Sequence, residues 1–184
     1  MKYTEREIQD WLCKYFMAKQ RKVTIPNMYL YEWESDLISV TKSGYVHEYE
    51  IKVTKADYKN DFKNKIRRHE SLRHGHRTPD YNQQYWIDQA RNSGASENTG
   101  ILKKVTVENR IITNRPNYFF YVCPEDIITE VPEYAGLIHC KPYLKIVKKA
   151  PLLHKEIITG MMEAKIMRSF YYKYWVLRGL HANK

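Results

Sequence analysis

The run Tyr45–Val53, YVHEYEIKV, alternates polar and apolar residues with a period of two. Successive side chains of a strand point to opposite faces. Glu48, Glu50 and Lys52 therefore share one face, and Tyr49, Ile51 and Val53 the other. This constrains the fold, because carboxylates are costly to bury unpaired and their face needs a metal ion, basic partners or water. Leu37-Ile38-Ser39-Val40 and the turn residues Thr41-Lys42-Ser43-Gly44 precede the run. Together they predict a hairpin over Asp36–Val53 that sets Asp36 beside Glu50.

The flanks supply the other elements. Thr4-Glu5-Arg6-Glu7 reads as a capping box, opening a helix to about Ala18 on Ile8, Trp11, Leu12, Tyr15 and Phe16. Gln20-Arg21-Lys22 ends that helix and Pro26-Asn27 marks a loop, after which Tyr29, Tyr31 and Trp33 alternate with Leu30 and Glu32. Ala56–Leu72 predicts a helix with Tyr58, Phe62 and Ile66 on one face. Arg73–Asn117 reads as an insertion. Its first part, Arg73–Gly100, is a polar loop, and its second a hairpin of Ile101–Val107 and Arg110–Asn114. Tyr118–Val122 predicts a buried strand, Pro124-Glu125-Asp126 a short helix, Gly136–Cys140 a strand and Tyr143–Val147 an edge strand. A long helix follows from Pro151, with Leu153, Ile157, Met161, Ile166, Phe170 and Trp175 on one side. The order predicts one α/β (α+β) domain over residues 1–184, a small mixed β-sheet flanked by helices, with an insertion at about 73–117.

Composition narrows the partners. The 31 Lys and Arg outnumber the 21 Asp and Glu, giving a formal charge of +10, and 16 Tyr accompany the basic stretches. Such a chain suits a polyanion, foremost nucleic acid, against the plainer alternative of a solvated basic surface. No apolar run is long enough to span a bilayer, and Glu5, Glu7 and Asp10 stand where a signal peptide would be apolar. Cys13, Cys123 and Cys140 are too few and too scattered for a disulfide framework or a zinc site, and read as reduced thiols of a cytosolic protein. No Ser/His/Asp triad, P-loop or dinucleotide fingerprint is present.

Asp36 and Glu50 converging one pleat from Lys52 suit a hard cation. Mg²⁺ takes about six oxygens, one or two of them from carboxylates. The Asp36 and Glu50 side chains and the Ile51 backbone carbonyl would be its protein ligands. Lys52 would orient or deprotonate a bound water. The alternative is a solvated strand face with a Glu-Lys ion pair. Lys55, Lys59, Lys63, Lys65, Arg67, Arg68 and His69 follow directly and would contact a nucleic-acid backbone. Glu34 and Glu48 would either hold a second ion or stand as rim carboxylates in water. His69, His74 and His76 suit phosphate or base contact, or a solvated loop, better than a metal. The aromatic stripe Phe170, Tyr171, Tyr174 and Trp175 reads as core.

Asp36…Glu50-Ile51-Lys52 resembles the signature of the PD-(D/E)XK nuclease superfamily. Ser35-Asp36-Leu37-Ile38, Gly44, Tyr49–Lys52, Ala56-Asp57 and Asp61 resemble its MmcB-like DNA-repair and phage-associated branch, as do Tyr118–Val122, Pro124-Glu125 and Glu133–Ile138. The likeness covers Asp36–Asp61 and Tyr118–Ile138 well, the flanks loosely and the insertion not at all; Ser35 stands where the superfamily name has proline. It implies a restriction-endonuclease-like core of αβββαβ order and Mg²⁺-dependent DNA hydrolysis, with Mn²⁺ as substitute. The implied setting is DNA processing or repair in a bacterial or phage-infected cytoplasm. The resemblance further implies a first-helix glutamate, Glu5 or Glu7, as an extra ligand, and homodimers whose two sites meet two strands. The rival expectation is an inactive nuclease-like module that binds DNA or RNA.

Overall fold

The predicted hairpin is the middle of a six-stranded mixed sheet. The computed structural model describes residues 3–75, 77–78, 92, 112–125, 127–140 and 143–179. The chain divides into two units, Met1–His74 with Arg115–Lys184, and Gly75–Asn114.

In the first unit, α1 (Glu5–Ala18) starts from the expected capping box: the Glu7 amide donates to Thr4 Oγ1, and the Thr4 amide to the Glu7 carboxylate at 2.8 Å. Strands β1 (Val23–Met28), β2 (Ser35–Val40) and β3 (Val46–Ile51) follow, then α2 (Lys55–Asn64) and α3 (Ile66–His74). In the second unit, β4 (Arg77–Thr78) and β5 (Ile112–Thr113) pair antiparallel. The first unit resumes with β6 (Tyr118–Cys123), β7 (Ala135–His139), β8 (Lys145–Lys148) and α4 (Gly160–Leu177). The sheet order is β1-β2-β3-β6-β7-β8, with β3, β6 and β7 mutually parallel and the remaining pairs antiparallel.

Both sheet faces are covered. Ile8, Leu12 and Phe16, one turn apart on α1, pack on Leu37, Tyr49, Ile51, Phe120 and Val122. On the opposite face Ile38 and Val46 meet Ile158 and Ile166, while Leu72 of α3 packs with Phe119, Tyr121 and Leu137. Gly136 is required by close approach, since a Cβ there would lie 2.6 Å from the Phe120 ring and 2.7 Å from the Ala150 nitrogen.

Several sequence expectations are corrected. The predicted Pro26-Asn27 loop lies in strand β1, where proline's missing N–H is tolerated because β1 is an edge. Tyr29–Glu34, which alternates like a strand, is irregular. The single helix over Ala56–Leu72 is two, broken at Lys65, and Ile66 is exposed. Pro124–Glu125 forms a turn instead of a helix. Residues 151–159 are not helical because their backbone is engaged elsewhere: Asn117 Nδ2 donates to the carbonyls of His154 and Glu156, and the Ile158 amide donates to Gly44. Phe170, Tyr171 and Tyr174 of the supposed core stripe are exposed. The predicted strand Ile101–Val107 and His76 lie outside the described residues; Ile112–Thr113 pairs with Arg77–Thr78.

Candidate functional site

Register brings the carboxylates together. Leu37 pairs with Tyr49 across β2 and β3, and one step along Asp36 lies opposite Glu50. Both side chains project from the face opposite α1. Asp36 Oδ2 accepts the Ile51 amide at 2.6 Å. The carbonyl of an extended residue points to the same side as its N–H, so the Ile51 carbonyl faces β2 as well. Gln9 of α1 ties this corner down, donating to the Asp36 carbonyl at 3.1 Å and to Glu5 at 3.0 Å.

Glu50 is fully buried and surrounded by cations. Oε1 accepts from Lys52 at 2.9 Å and from Lys65 at 2.7 Å, and Oε2 from Arg68 Nη1 at 2.6 Å. Asp61, on α2, is a second buried anion facing the same groups. It pairs with Lys52 at 3.0 Å, with Arg68 Nη2, and with His69 Nε2 at 3.1 Å, and it accepts the Tyr121 hydroxyl at 3.0 Å. His69 Nδ1 meets Tyr134 Oη at 2.7 Å. Asp61, Tyr121 and Tyr134 are not singled out as site residues by the sequence; for Asp61 the available signal is a helical acid four residues before Lys65 and seven before Arg68.

These neighbours divide the ionisable groups into two behaviours. Burial first, then the Glu50 and Glu5 charges, lift the Asp36 carboxyl to about 8, opposed by the Ile51 amide. Glu5 rises as well, through burial and Glu50. Burial alone would raise Asp61, but His69, Arg68 and Lys52 outweigh it and hold the carboxylate well below its ordinary range. Burial likewise would lower Lys52 and Arg68, and their carboxylate partners overcome it and hold both above their usual values. Lys52 is therefore a fixed positive charge. In that state it can orient a water or stabilise an anion.

The remaining candidates separate. Lys55, Lys59, Lys63 and Arg67 are exposed, and Lys65 is half-buried on Glu50. Arg68 and His69 are buried in the ion-pair network, so the expectation of backbone contacts is corrected for these two. Glu48 is a fully buried acid instead of a rim carboxylate; it accepts Trp33 Nε1 at 2.8 Å, and burial raises it to about 7. Glu34, Glu7 and His74 are exposed.

Among the described residues no three His, Cys, Asp or Glu side chains are grouped as a metal site. The charges nevertheless fit a cation at one place. The Glu50 charge adds to the rise of both Glu5 and Asp36, and Glu5 adds to that of Asp36. A positive ion there would relieve that repulsion, once Glu50 exchanged one ammonium partner for it.

No protein-family model and no curated protein matches the chain. Among solved structures, a protein of unknown function from Silicibacter pomeroyi superposes with a TM-score of 0.51 at 14% identity, covering 91% of this chain and 87% of that one. At that identity the likeness shows the fold alone: a mixed α+β architecture with a six-stranded sheet flanked by helices. No helix among the described residues is long and apolar enough to cross a membrane.

Proposed function

We propose that the chain is a Mg²⁺-dependent nuclease of PD-(D/E)XK type, hydrolysing phosphodiester bonds of DNA in a bacterial or phage DNA-processing or repair setting. One observation carries the reading: Asp36 and Glu50 lie one step beyond the Leu37–Tyr49 pair of β2 and β3, Asp36 Oδ2 accepts the Ile51 amide, and Lys52 is ion-paired to Glu50. Asp36, Glu50 and the Ile51 carbonyl would hold the ion, with Glu5 at its edge. When bound, that ion would neutralise phosphate charge and acidify a water. Lys52, kept protonated by Glu50 and Asp61, would stabilise the negative charge that develops on the phosphate. Asp61 positions Lys52 and Arg68. The exposed lysines of α2 would bind the strand backbone.

The test is cleavage of duplex and single-stranded DNA, and of matched RNA, with Mg²⁺ or Mn²⁺. Asp36→Asn, Glu50→Gln and Lys52→Met each reduce cleavage by about a hundredfold or more while the circular dichroism stays native. Full activity in EDTA, or in any of the three variants, refutes the mechanism.

The second reading is an inactive module that binds nucleic acid, and the cation-saturated state of Glu50 favours it. It expects DNA or RNA binding without turnover, and no Mn²⁺-dependent gain in melting temperature beyond that of Asp36→Asn.

A further inference from the structure

The sheet face that carries α1 has a cavity of about 510 Å³, within the roughly 300–1,000 Å³ range of small-molecule sites. Its floor is a ladder of rings on neighbouring strands. His47 lies parallel to Phe120 at 6.1 Å with an interplanar angle of 16°, and Phe120 parallel to Tyr49 at 5.4 Å and 15°. Tyr15 and Phe16, in the last turns of α1, form one wall.

The rim is cationic. Lys19 lies over the Tyr15 ring at 5.6 Å and Arg21 over the Phe16 ring at 5.5 Å. Lys42 reaches in from the β2–β3 turn and donates to Gln20 at 2.9 Å. No carboxylate lines the cavity among the described residues. Burial first, then Arg21, lowers His47 to about 3, so its ring faces the space uncharged. The chain turns sharply here: Gln20 adopts φ +53°, which non-glycine residues rarely take.

An aromatic lining, nearly buried at Tyr49 and Phe120 and partly open at His47 and Tyr15, under a rim of cations without acids suits a flat heterocycle bearing a phosphate. We propose that this cavity binds an unpaired nucleotide, its base against the His47–Phe120 ladder and its phosphate on Lys19, Arg21 and Lys42. Free nucleoside monophosphates and the nucleotides of a single strand share that chemistry. Asp36 and Glu50 project from the other face of the sheet, so the assignment stands apart from hydrolysis there.

The experiment is fluorescence anisotropy of a labelled single-stranded oligothymidylate on the full chain in EDTA, with thymidine 5′-monophosphate as competitor. Saturable binding is expected, weakened about tenfold or more by the paired surface change Lys19→Ala with Arg21→Ala, and similarly by His47→Ala. Lys155→Ala, an exposed lysine away from the cavity, binds like wild type. Competition by the monophosphate assigns the site to a single nucleotide; binding that keeps its Arg21 and His47 dependence without such competition assigns it to the strand. The surface pair leaves the core intact, so wild-type affinity in that variant overturns the proposal. So does preference for a blunt duplex, or equal loss in Lys155→Ala. If these bindings hold while cleavage is absent, only the nuclease reading fails.

Discussion

Two acids, Asp36 and Asp61, titrate in opposite directions: burial, reinforced by Glu50 and Glu5, raises the first, while His69, Arg68 and Lys52 hold the second down against burial. Folding raises Asp36 from 3.8 to about 8, so the folded chain keeps a proton that the unfolded chain has released over that interval. The folded state binds more protons there, and stability falls as pH rises from about 4 to about 8. Asp61 acts in another window: its folded value is depressed, so its contribution is complete above its ordinary range and is lost only as pH falls below it. Urea midpoints for wild type should therefore drop between about pH 5.5 and about pH 8.5. Asp36→Asn should flatten part of that drop and Glu48→Gln a further part, since Glu48 is raised to about 7 by the same burial. Mn²⁺ at saturation should shrink the slope in wild type and leave it unchanged in Asp36→Asn. A wild-type slope equal to that of Asp36→Asn in metal-free buffer would mean that Asp36 is not held protonated.

At the scale of elements, the break between α2 and α3 does what a continuous helix would not. Lys65 leaves helical geometry at φ −119°, ψ 41°, and beyond it Lys65 and Arg68 reach Glu50 of β3 while His69 reaches Asp61 of α2. Of the three cations on Glu50, Lys65 alone is substantially exposed, at 37% against 6% for Lys52 and 2% for Arg68. It is the partner that can leave, and an arriving cation competes with it first. Lys65→Met should therefore raise Mn²⁺ affinity several-fold in the absence of nucleic acid, measured by calorimetric titration. Arg68→Met should instead lower stability, because it leaves Glu50 and Asp61 buried with fewer counter-charges. Unchanged Mn²⁺ affinity in Lys65→Met would show that Glu50 keeps its ammonium partners when metal binds.

The same elements show what was legible in the sequence. Alternation and turn chemistry are local, so α1, the β2–β3 hairpin and the Asp36, Glu50 and Lys52 placement could be read directly. Strand β1 was not, because Pro26 is a breaker everywhere except at an edge, and edge position depends on sheet order. The non-helical 151–159 segment is hidden for a similar reason: it looks helical by period, but its hydrogen-bond partner, Asn117, lies far away in the sequence. Arg68 and Asp61 read as solvated helix charges until β3 and β6 are known to lie beneath them.

On the scale of the whole molecule, the sheet keeps unlike charges at workable distances. Its acids are sequestered on one face under Lys52, Lys65 and Arg68, while Lys55, Lys59, Lys63 and Arg67 stay exposed and unengaged by those acids. The formal charge of +10 is thus split between cations consumed by buried acids and cations left for a partner. Only the second set should govern salt dependence. Each phosphate neutralised adds about −0.9 to the slope of log affinity against log salt on duplex DNA. With Asp36→Asn in EDTA to prevent cleavage, replacing Lys55, Lys59 and Lys63 by alanine should make that slope shallower by up to roughly 2.7. The weakening should be alike for unrelated sequences, because phosphates carry no base information. Adding Lys65→Met should change the slope less than any one of the other lysines does, since Lys65 is already neutralised by Glu50. A triple variant with the parent's slope would move the nucleic-acid surface off α2.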